Sequence, residues 1–454
     1  MITFRALSLP ASTSLVAALV GLGASAVATP GPAVAAGAES GRSAGGFADG
    51  AGATRSAVGV GAAAAPRYLG YRSWRASSFD QGPFARTRSV GGLVIGGHPV
   101  AVTYRDPYGS SARQGYDRGR WYSPWTAEHF ALTQLVASYT ARTPRGTFIE
   151  VSARGRTVSG RTSSWDSLGR WASYDGGFHR MSLGSQSDDL AGVSVDTLVV
   201  NGRHAFGSWQ LRVTLMRRTA SARTPTVRTV GAVVSRLPAA PAPTSTPLPG
   251  RGRDLAVPRF SQMIHTGEYP RWNGGGEAWC SPTSTSMVLA YWDRGPSPAQ
   301  YAWVRSGYRQ PWVDYAARYT YASGYDGTGD WPFNTAYAGR FHLDAFVTRL
   351  RSLRQAAAFV KAGIPLVASI SFGPGELDGA PIGSTAGHLV VIRGFTAGGR
   401  VIVNDPAASS AQTVRRVYRR DQFERAWVGS SGGVVYVIRP ASRALPPSGP
   451  GRPW

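Results

Sequence analysis

Cys280 is the single cysteine of the 454 residues, and it stands in EAWCSPTSTSMVLAYW, residues 277 to 292. A thiol attacks a carbonyl only as the thiolate, so the surroundings must favour its charge. Pro282 suits the first turn of a helix and Thr283 and Ser284 its N-terminal end. Met287, Val288, Tyr291 and Trp292 then recur at three and four residues as an apolar stripe. Cys280 is thus expected at a helix N-terminus, where the partial positive charge stabilises a thiolate. A thiolate also needs a base, and the base an orienting group. Only His342 and His388 lie downstream. The stretch TAGHLVVIRGFTAGGRVIVNDPAA puts His388 at the start of an apolar strand, a Gly turn at Gly398 and Gly399, and a second strand ending at Asp405. Read as a hairpin, it returns Asp405 to the end where His388 sits. Each residue has a plainer use: a packed thiol, a core histidine, a turn aspartate before proline. Together they have the parts for acyl transfer through a thioester.

The pattern C-x-P-x-S at a helix start, a distant G-H leading an apolar strand, and N-D-P on the next strand resembles the bacteriocin-processing (double-glycine leader) cysteine peptidases and their stand-alone secreted relatives of actinobacterial type, a papain-like group. The resemblance covers about residues 255 to 440. It implies that Cys280 is the nucleophile, His388 the general base and then acid, and Asp405 the residue that orients the imidazole. It also implies a side-chain oxyanion donor ahead of the cysteine, matched by Gln262 in VPRFSQ, with the Cys280 backbone N–H as second donor. The chain departs from the group in two places: 18 residues separate Gln262 from Cys280, and Ser281 stands where glycine is common. No cofactor or metal is called for. His265 and His342 are expected to be structural or at the surface.

These residues need elements to hold them. Residues 1–28 read as a signal peptide: Arg5, the apolar run STSLVAALVGLGASAVA, and a small-residue cleavage pattern ending at Ala28. The run is too short and too interrupted for a spanning helix, so no membrane anchor is expected after cleavage. The chain is expected outside the cell, in contact with the cell wall, where one cysteine rules out any disulfide scaffold. Residues 29–65 are a Gly/Ala-rich linker without the means to bury a core. Residues 237–253 are Pro-rich and expected as a semi-rigid spacer. They bracket an accessory domain at 66–236 and a peptidase domain at 254–440, followed by a disordered tail at 441–454. The fold class expected is α+β: a C-terminal papain-like cysteine peptidase domain preceded by an all-β sandwich or jelly roll.

The all-β expectation rests on alternation. WQLRVTLM sets Trp209, Leu211, Val213 and Leu215 against Gln210, Arg212 and Thr214, and TFIEVSAR behaves alike. Trp121, Trp125, Trp165 and Trp171 are expected mainly as core, with stacking on sugar rings as the other use. In the second domain, DAFVTRLRSLRQAAAFVKAG reads as a helix closed by Gly363, followed by a buried strand from Ile364 to Phe372. The segment from Trp312 to Gly339 has no clear period and is a candidate source of substrate pockets.

The net charge of +24 is almost wholly arginine, Lys361 being the one lysine. No run of five basic residues marks a phosphate-tracking stripe, which excludes specific nucleic-acid binding as a first reading. The partners expected are a peptide or protein substrate and an anionic cell-wall polymer or carbohydrate bound by the β domain. A murein peptide amidase or endopeptidase, a transpeptidase, and a non-catalytic envelope-binding protein fit the same sequence.

Overall fold

In a computed structural model, the described residues are 66–454 apart from 185, 188, 240–242 and 450–452. The signal peptide at 1–28 and the linker at 29–65 lie outside them. Among the described residues no helix is long and apolar enough to cross a membrane.

The first half is two antiparallel sheets around a shared core. In one, Phe206–Arg218 lies between Thr147–Thr157 and Gln114–Tyr122. In the other, Thr226–Arg236 lies between Tyr68–Arg75 and Gln134–Arg142. The alternation in the sequence decides which side chains enter: Trp209, Leu211, Val213 and Leu215 all have 0% exposure. Trp74 meets Trp121 and Trp209 edge to face at 5.7 and 5.8 Å. Trp121 and Trp171 are core, whereas Trp125 and Trp165 are only partly covered.

The second half is a seven-stranded antiparallel sheet flanked by helices. Strand Leu366–Phe372 runs between Thr385–Phe395 and Val434–Arg439, and Val401–Asn404 continues the sheet beyond Thr385–Phe395. The helix Cys280–Tyr291 packs on this sheet. It is not amphipathic as expected: Ser281 to Leu289 are buried on every side. Its serine hydroxyls and that of Thr285 therefore find partners inside the protein. Ser281 shares a hydrogen bond with the Tyr436 hydroxyl at 2.9 Å, and Ser284 donates to the Leu389 carbonyl at 2.9 Å.

Four expectations are corrected. Asp344–Arg349 is a strand paired with Val434–Arg439, and the helix is only Leu353–Lys361. Ala345 and Val347 alternate inward, a period of two that was merged with the helical run after it. The aromatic segment from Trp312 to Gly339 falls largely into two helices, Pro311–Thr320 and Trp331–Gly339. The Pro-rich stretch is not a free spacer where it is described. Ser245 N–H donates to Glu424 Oε2 at 2.7 Å, and Arg253–Asp254 pairs with Gly394 and Phe395. The tail also packs. Trp454 lies against Phe359 at 4.8 Å and donates to the Pro446 carbonyl at 2.8 Å.

Nor are the two halves beads on a string. Phe333 and Ala336, from the helix Trp331–Gly339, enter the core of the first half, while Val136 and Val233 enter the core of the second. Val347 N–H donates to Ser138 Oγ at 3.0 Å, and Arg349 donates to Gln134 Oε1 at 2.9 Å. Asp196, from the first half, accepts from Trp331 N–H at 2.9 Å, close to the helix that Asp330 caps through Phe333 N–H, also at 2.9 Å. Burial, relieved only in part by the Trp331 N–H and the Thr197 hydroxyl, pushes Asp196 up to about 6.

Candidate active site

The hairpin forms. Val391 faces Asn404 and Phe395 faces Val401, with an irregularity between Ile392 and Gly394, and the turn is closed by Gly399 at φ 78. Asp405 follows directly on the strand, so it returns to the end that bears His388. His388 Nε2 and Asp405 Oδ1 are 2.7 Å apart, with 3% and 0% of the two residues exposed. With Nε2 taken by the carboxylate, Nδ1 is the ring nitrogen left free of Asp405, and the Cys280 sulfur is near enough to favour the charged imidazole. Cys280 itself is half-buried, so the sulfur is reachable from solvent while its base is not.

Electrostatics follow from this chain of contacts. Burial opposes a charge on His388, but the Asp405 carboxylate, by charge and hydrogen bond, and the Cys280 sulfur outweigh it and push the imidazole up to about 10. Burial would raise Asp405, yet His388 and two donors hold it below the usual carboxylate range. The donors are Tyr418 Oη at 2.8 Å on Oδ2 and Ala407 N–H at 3.1 Å on Oδ1. Tyr418 in turn is driven well above the ordinary phenol range by burial and by that carboxylate, so it stays a donor. No sequence pattern pointed to Tyr418; its signal would have been the strand Arg415–Tyr418 pairing back on Val401–Asn404.

Gln262 is brought to the cysteine by a route other than its sequence distance. Asn404 Nδ2 donates to the Pro258 carbonyl at 2.9 Å, Ser261 Oγ to the Ala408 carbonyl at 2.5 Å, and Gln262 N–H to the Pro406 carbonyl at 2.9 Å. The segment before Gln262 is therefore stitched to the strand end that carries Asp405. Its side chain then donates from Nε2 to the Glu277 carbonyl at 2.5 Å, three residues ahead of Cys280. An amide nitrogen has two N–H groups, and this bond uses one. The 18-residue excursion closes on itself through glycine. Gly275 has φ 116, and a Cβ on Gly276 would stand 2.3 Å from the His265 carbonyl carbon and 2.4 Å from the Gln262 carbonyl oxygen. Trp279, the residue before the helix, offers no side-chain cap, and Pro282 has no N–H, so the Cys280 amide stands at an uncapped helix start.

His265 has carboxylate partners that its sequence surroundings do not announce. It is fully buried, with Nδ1 2.6 Å from Glu268 Oε2 and 3.4 Å from Asp314 Oδ2. Glu268 is pushed up to about 7, first by burial and then, against the pull of His265, by Asp314. The types suit a divalent cation, but a 2.6 Å separation of Nδ1 and Oε2 is a hydrogen bond rather than the spacing of two ligands on one ion. Asp314 lies on the helix Pro311–Thr320, so the cluster ties the excursion to that helix. His342, with φ 62, is exposed and stands apart from the site.

The connector between the two later helices reaches the same place. Thr328 Oγ1 donates to the Ala278 carbonyl at 3.3 Å, and Tyr325 is raised to about 12 by burial and by the neighbouring Cys280 sulfur. The first half grips this connector: Ser323 N–H donates to the Arg180 carbonyl at 2.8 Å, and buried Arg180 donates to the Tyr321 carbonyl at 3.1 Å. A separate cavity of about 660 Å³ lies between the Pro-rich stretch and Phe395, and none of Cys280, His388, Asp405 and Gln262 lines it.

His388 and Asp405 thus form a buried pair within the reach of Cys280, and the comparisons with known families bear on the domains that hold them. Residues 254–435 match the Peptidase_C39 like family, and residues 70–235 match the Peptidase C39 N-terminal domain. The chain thus carries a C-terminal C39-like peptidase domain preceded by an N-terminal β domain. A C39-like peptidase from Bacillus anthracis is similar at 19% identity, covering 42% of this chain and 98% of that one, with a TM-score of 0.28. A fragment of prointerpain A from Prevotella intermedia is similar at 17% identity over 43% of this chain and 75% of that one, with a TM-score of 0.27. No curated protein matches the chain.

Proposed function

We propose that the protein is an exported papain-like cysteine peptidase that hydrolyses peptide bonds through Cys280, His388 and Asp405. The observation that carries this is the setting of His388, whose Nε2 is 2.7 Å from Asp405 Oδ1 and whose charge the Cys280 sulfur favours. His388 holds the proton as the imidazolium, and the Cys280 thiolate adds to the scissile carbonyl carbon. The carbonyl π electrons move to oxygen, which the Cys280 N–H and the second N–H of Gln262 Nε2 stabilise. The oxyanion collapses, the C–N bond breaks, and His388 gives its proton to the leaving amine. Water, deprotonated by His388, then adds to the thioester, and the thiolate leaves. Asp405, held charged by Tyr418 and Ala407, fixes the imidazole tautomer in both halves.

Tyr325 and the connector from Tyr321 to Asp330 form one wall near the sulfur, and the β domain holds that wall. The peptide substrate is tested by digesting a peptide library with the full chain and reading products by mass, in ordinary and in 18O-labelled water. Hydrolysis predicts new C-termini carrying one 18O and none with Cys280→Ala, a loss on the order of a millionfold. Transfer of the acyl group to added amines without 18O would establish a transpeptidase. Undiminished cleavage by Cys280→Ala would overturn the assignment.

A further inference from the structure

One face of the β domain carries a charge arrangement that the peptidase chemistry does not use. On the sheet that contains Phe206–Arg218, Arg118 and Arg120 project from Gln114–Tyr122, Arg212 from the central strand, and Arg154 and Arg156 from Thr147–Thr157. The register places them side by side, with Arg120 opposite Thr214, Arg212 opposite Tyr122 and Ser152, and Arg154 opposite Gln210. Two partly exposed indoles hold the guanidinium planes. Arg154 stands 4.4 Å from Trp165 and 5.0 Å from Trp125, Arg156 4.4 Å from Trp125, and Arg212 4.6 Å from Trp165. Gln210 and Ser152 fix two forks further: Gln210 Oε1 accepts from Arg154 at 3.0 and 2.8 Å, and Ser152 Oγ from Arg212 at 3.0 Å.

Among the described residues, none of these five arginines is in an ion pair. Glu150, the carboxylate nearest Arg118 and Arg212, is engaged by Arg170 at 2.5 Å and by Ser167 at 3.0 Å. Nε of Arg120 and of Arg212 is buried and has no partner among the described residues. Burial and then neighbouring arginines lower Arg118, Arg154 and Arg212, the mark of like charges held together. Such crowding costs free energy in the free protein and returns it when an anion arrives, since the forks are already oriented for carboxylate or phosphate.

We propose that this face binds a linear anionic glycopolymer of the cell envelope, laid along the row Arg118, Arg120, Arg212, Arg154, Arg156. In this register Arg120 and Arg212, and Arg212 and Arg154, are diagonal neighbours whose backbone positions lie about 7–8 Å apart, and those two residues apart on one strand lie about 6.7 Å apart, so a flexible chain with regularly repeated charge meets several at once. The indole faces are already covered by arginine, which leaves no open platform for nucleobases and favours a polymer recognised by charge. That such a polymer is within reach rests on export, whereas the binding itself does not depend on the thiol chemistry.

The test uses the full chain against polygalacturonate, as the carboxylate form, and poly(glycerol phosphate), as the phosphodiester form. Binding is measured by biolayer interferometry over a series of salt concentrations. The wild type is expected to bind one or both with an affinity that falls steeply as salt rises. Arg154→Gln/Arg156→Gln/Arg212→Gln should weaken binding about tenfold or more and flatten the salt slope, whereas the charge-matched Arg88→Gln/Arg142→Gln/Arg223→Gln should change it less than about twofold. Which polymer is preferred decides between carboxylate and phosphate. If the triple variant melts early, Arg118→Gln/Arg156→Gln should still lose about threefold. Equal losses in the row and control variants, no binding of either polymer, or tighter binding of single-stranded DNA would overturn the proposal.

Discussion

Two buried histidine–carboxylate contacts of the peptidase domain, His388 with Asp405 and His265 with Glu268 and Asp314, look alike in distance, 2.7 and 2.6 Å, and differ in everything around them. At His388 one ring nitrogen is taken by the carboxylate, and a half-buried thiol is near enough to favour the ring's charge. At His265 one nitrogen meets two carboxylates, and the other, Nε2, is buried without a partner among the described residues. Asp405 has its remaining capacity filled by Tyr418 and Ala407 and stays charged, while Glu268 is pushed up to about 7 and takes up a proton near neutrality. The lesson is that a buried pair becomes a catalytic base when its carboxylate is fully satisfied and its far nitrogen faces a reactive atom. Otherwise it is a latch, here fastening the residues between Gln262 and Cys280 to the helix Pro311–Thr320.

Substitutions should separate these roles. Asp405→Asn is expected to lower kcat/KM by on the order of 10³ to 10⁴, because the amide neither fixes the tautomer nor stabilises the imidazolium. His388 owes its raised pKa to the Asp405 charge, so the high-pH limb of the pH–rate profile should move to lower pH in that variant. A limb that does not move would detach Asp405 from His388. Gln262→Ala should cost about 10² to 10³ in kcat with little change in KM, as removal of one oxyanion donor does. A change in KM alone would make it a substrate contact.

Tyr418→Phe removes one of three donors to a carboxylate that His388 still engages, and a loss of about tenfold in kcat/KM is expected. The smallest effect on catalysis belongs to the latch. Glu268→Gln should leave kcat within about twofold, a change of no more than a few tenths of a kcal/mol in the barrier. Its signature is in stability. A carboxyl whose folded pKa is raised contributes stability that is fully present below its unfolded value and lost as pH rises through the folded one. The difference in denaturation midpoint between wild type and Glu268→Gln should therefore change between about pH 4.5 and 7, with the wild type losing ground as pH rises. A flat difference, or a large fall in kcat, would erase the distinction between latch and catalytic pair.

Much of the site was legible in sequence because its parts are local. A cysteine before Pro282, a G-H at a strand start and N-D-P at the end of the next strand each announce their own element, and a hairpin joins two of them. The partners that sequence did not disclose lie across the fold. Asp314 is 49 residues from His265 in a stretch without clear period, and Tyr418 reaches Asp405 only through strand pairing. The docking of the two halves was masked by a Pro-rich stretch whose composition reads as a spacer. Its signal was present in LVASYTA at 135–141, a strand apolar or small at nearly every position and buried on both faces. A strand with one wet face would alternate. Asp344–Arg349 is hidden for another reason: six strand residues, DAFVTR, run almost straight into a helix with no glycine or proline to separate them.

The central claim, that Cys280 is held as a nucleophile by His388, is tested most directly by the rate of its alkylation. The purified chain and His388→Ala would be treated with a low concentration of iodoacetamide at pH 7 and Cys280 modification followed by mass. Because Cys280 is the only thiol, the total signal is its own. The wild type is expected to react well above the rate of a model thiol at the same pH, with the rate falling to that of the model thiol or below in His388→Ala. Equal rates for wild type, variant and model thiol would contradict it.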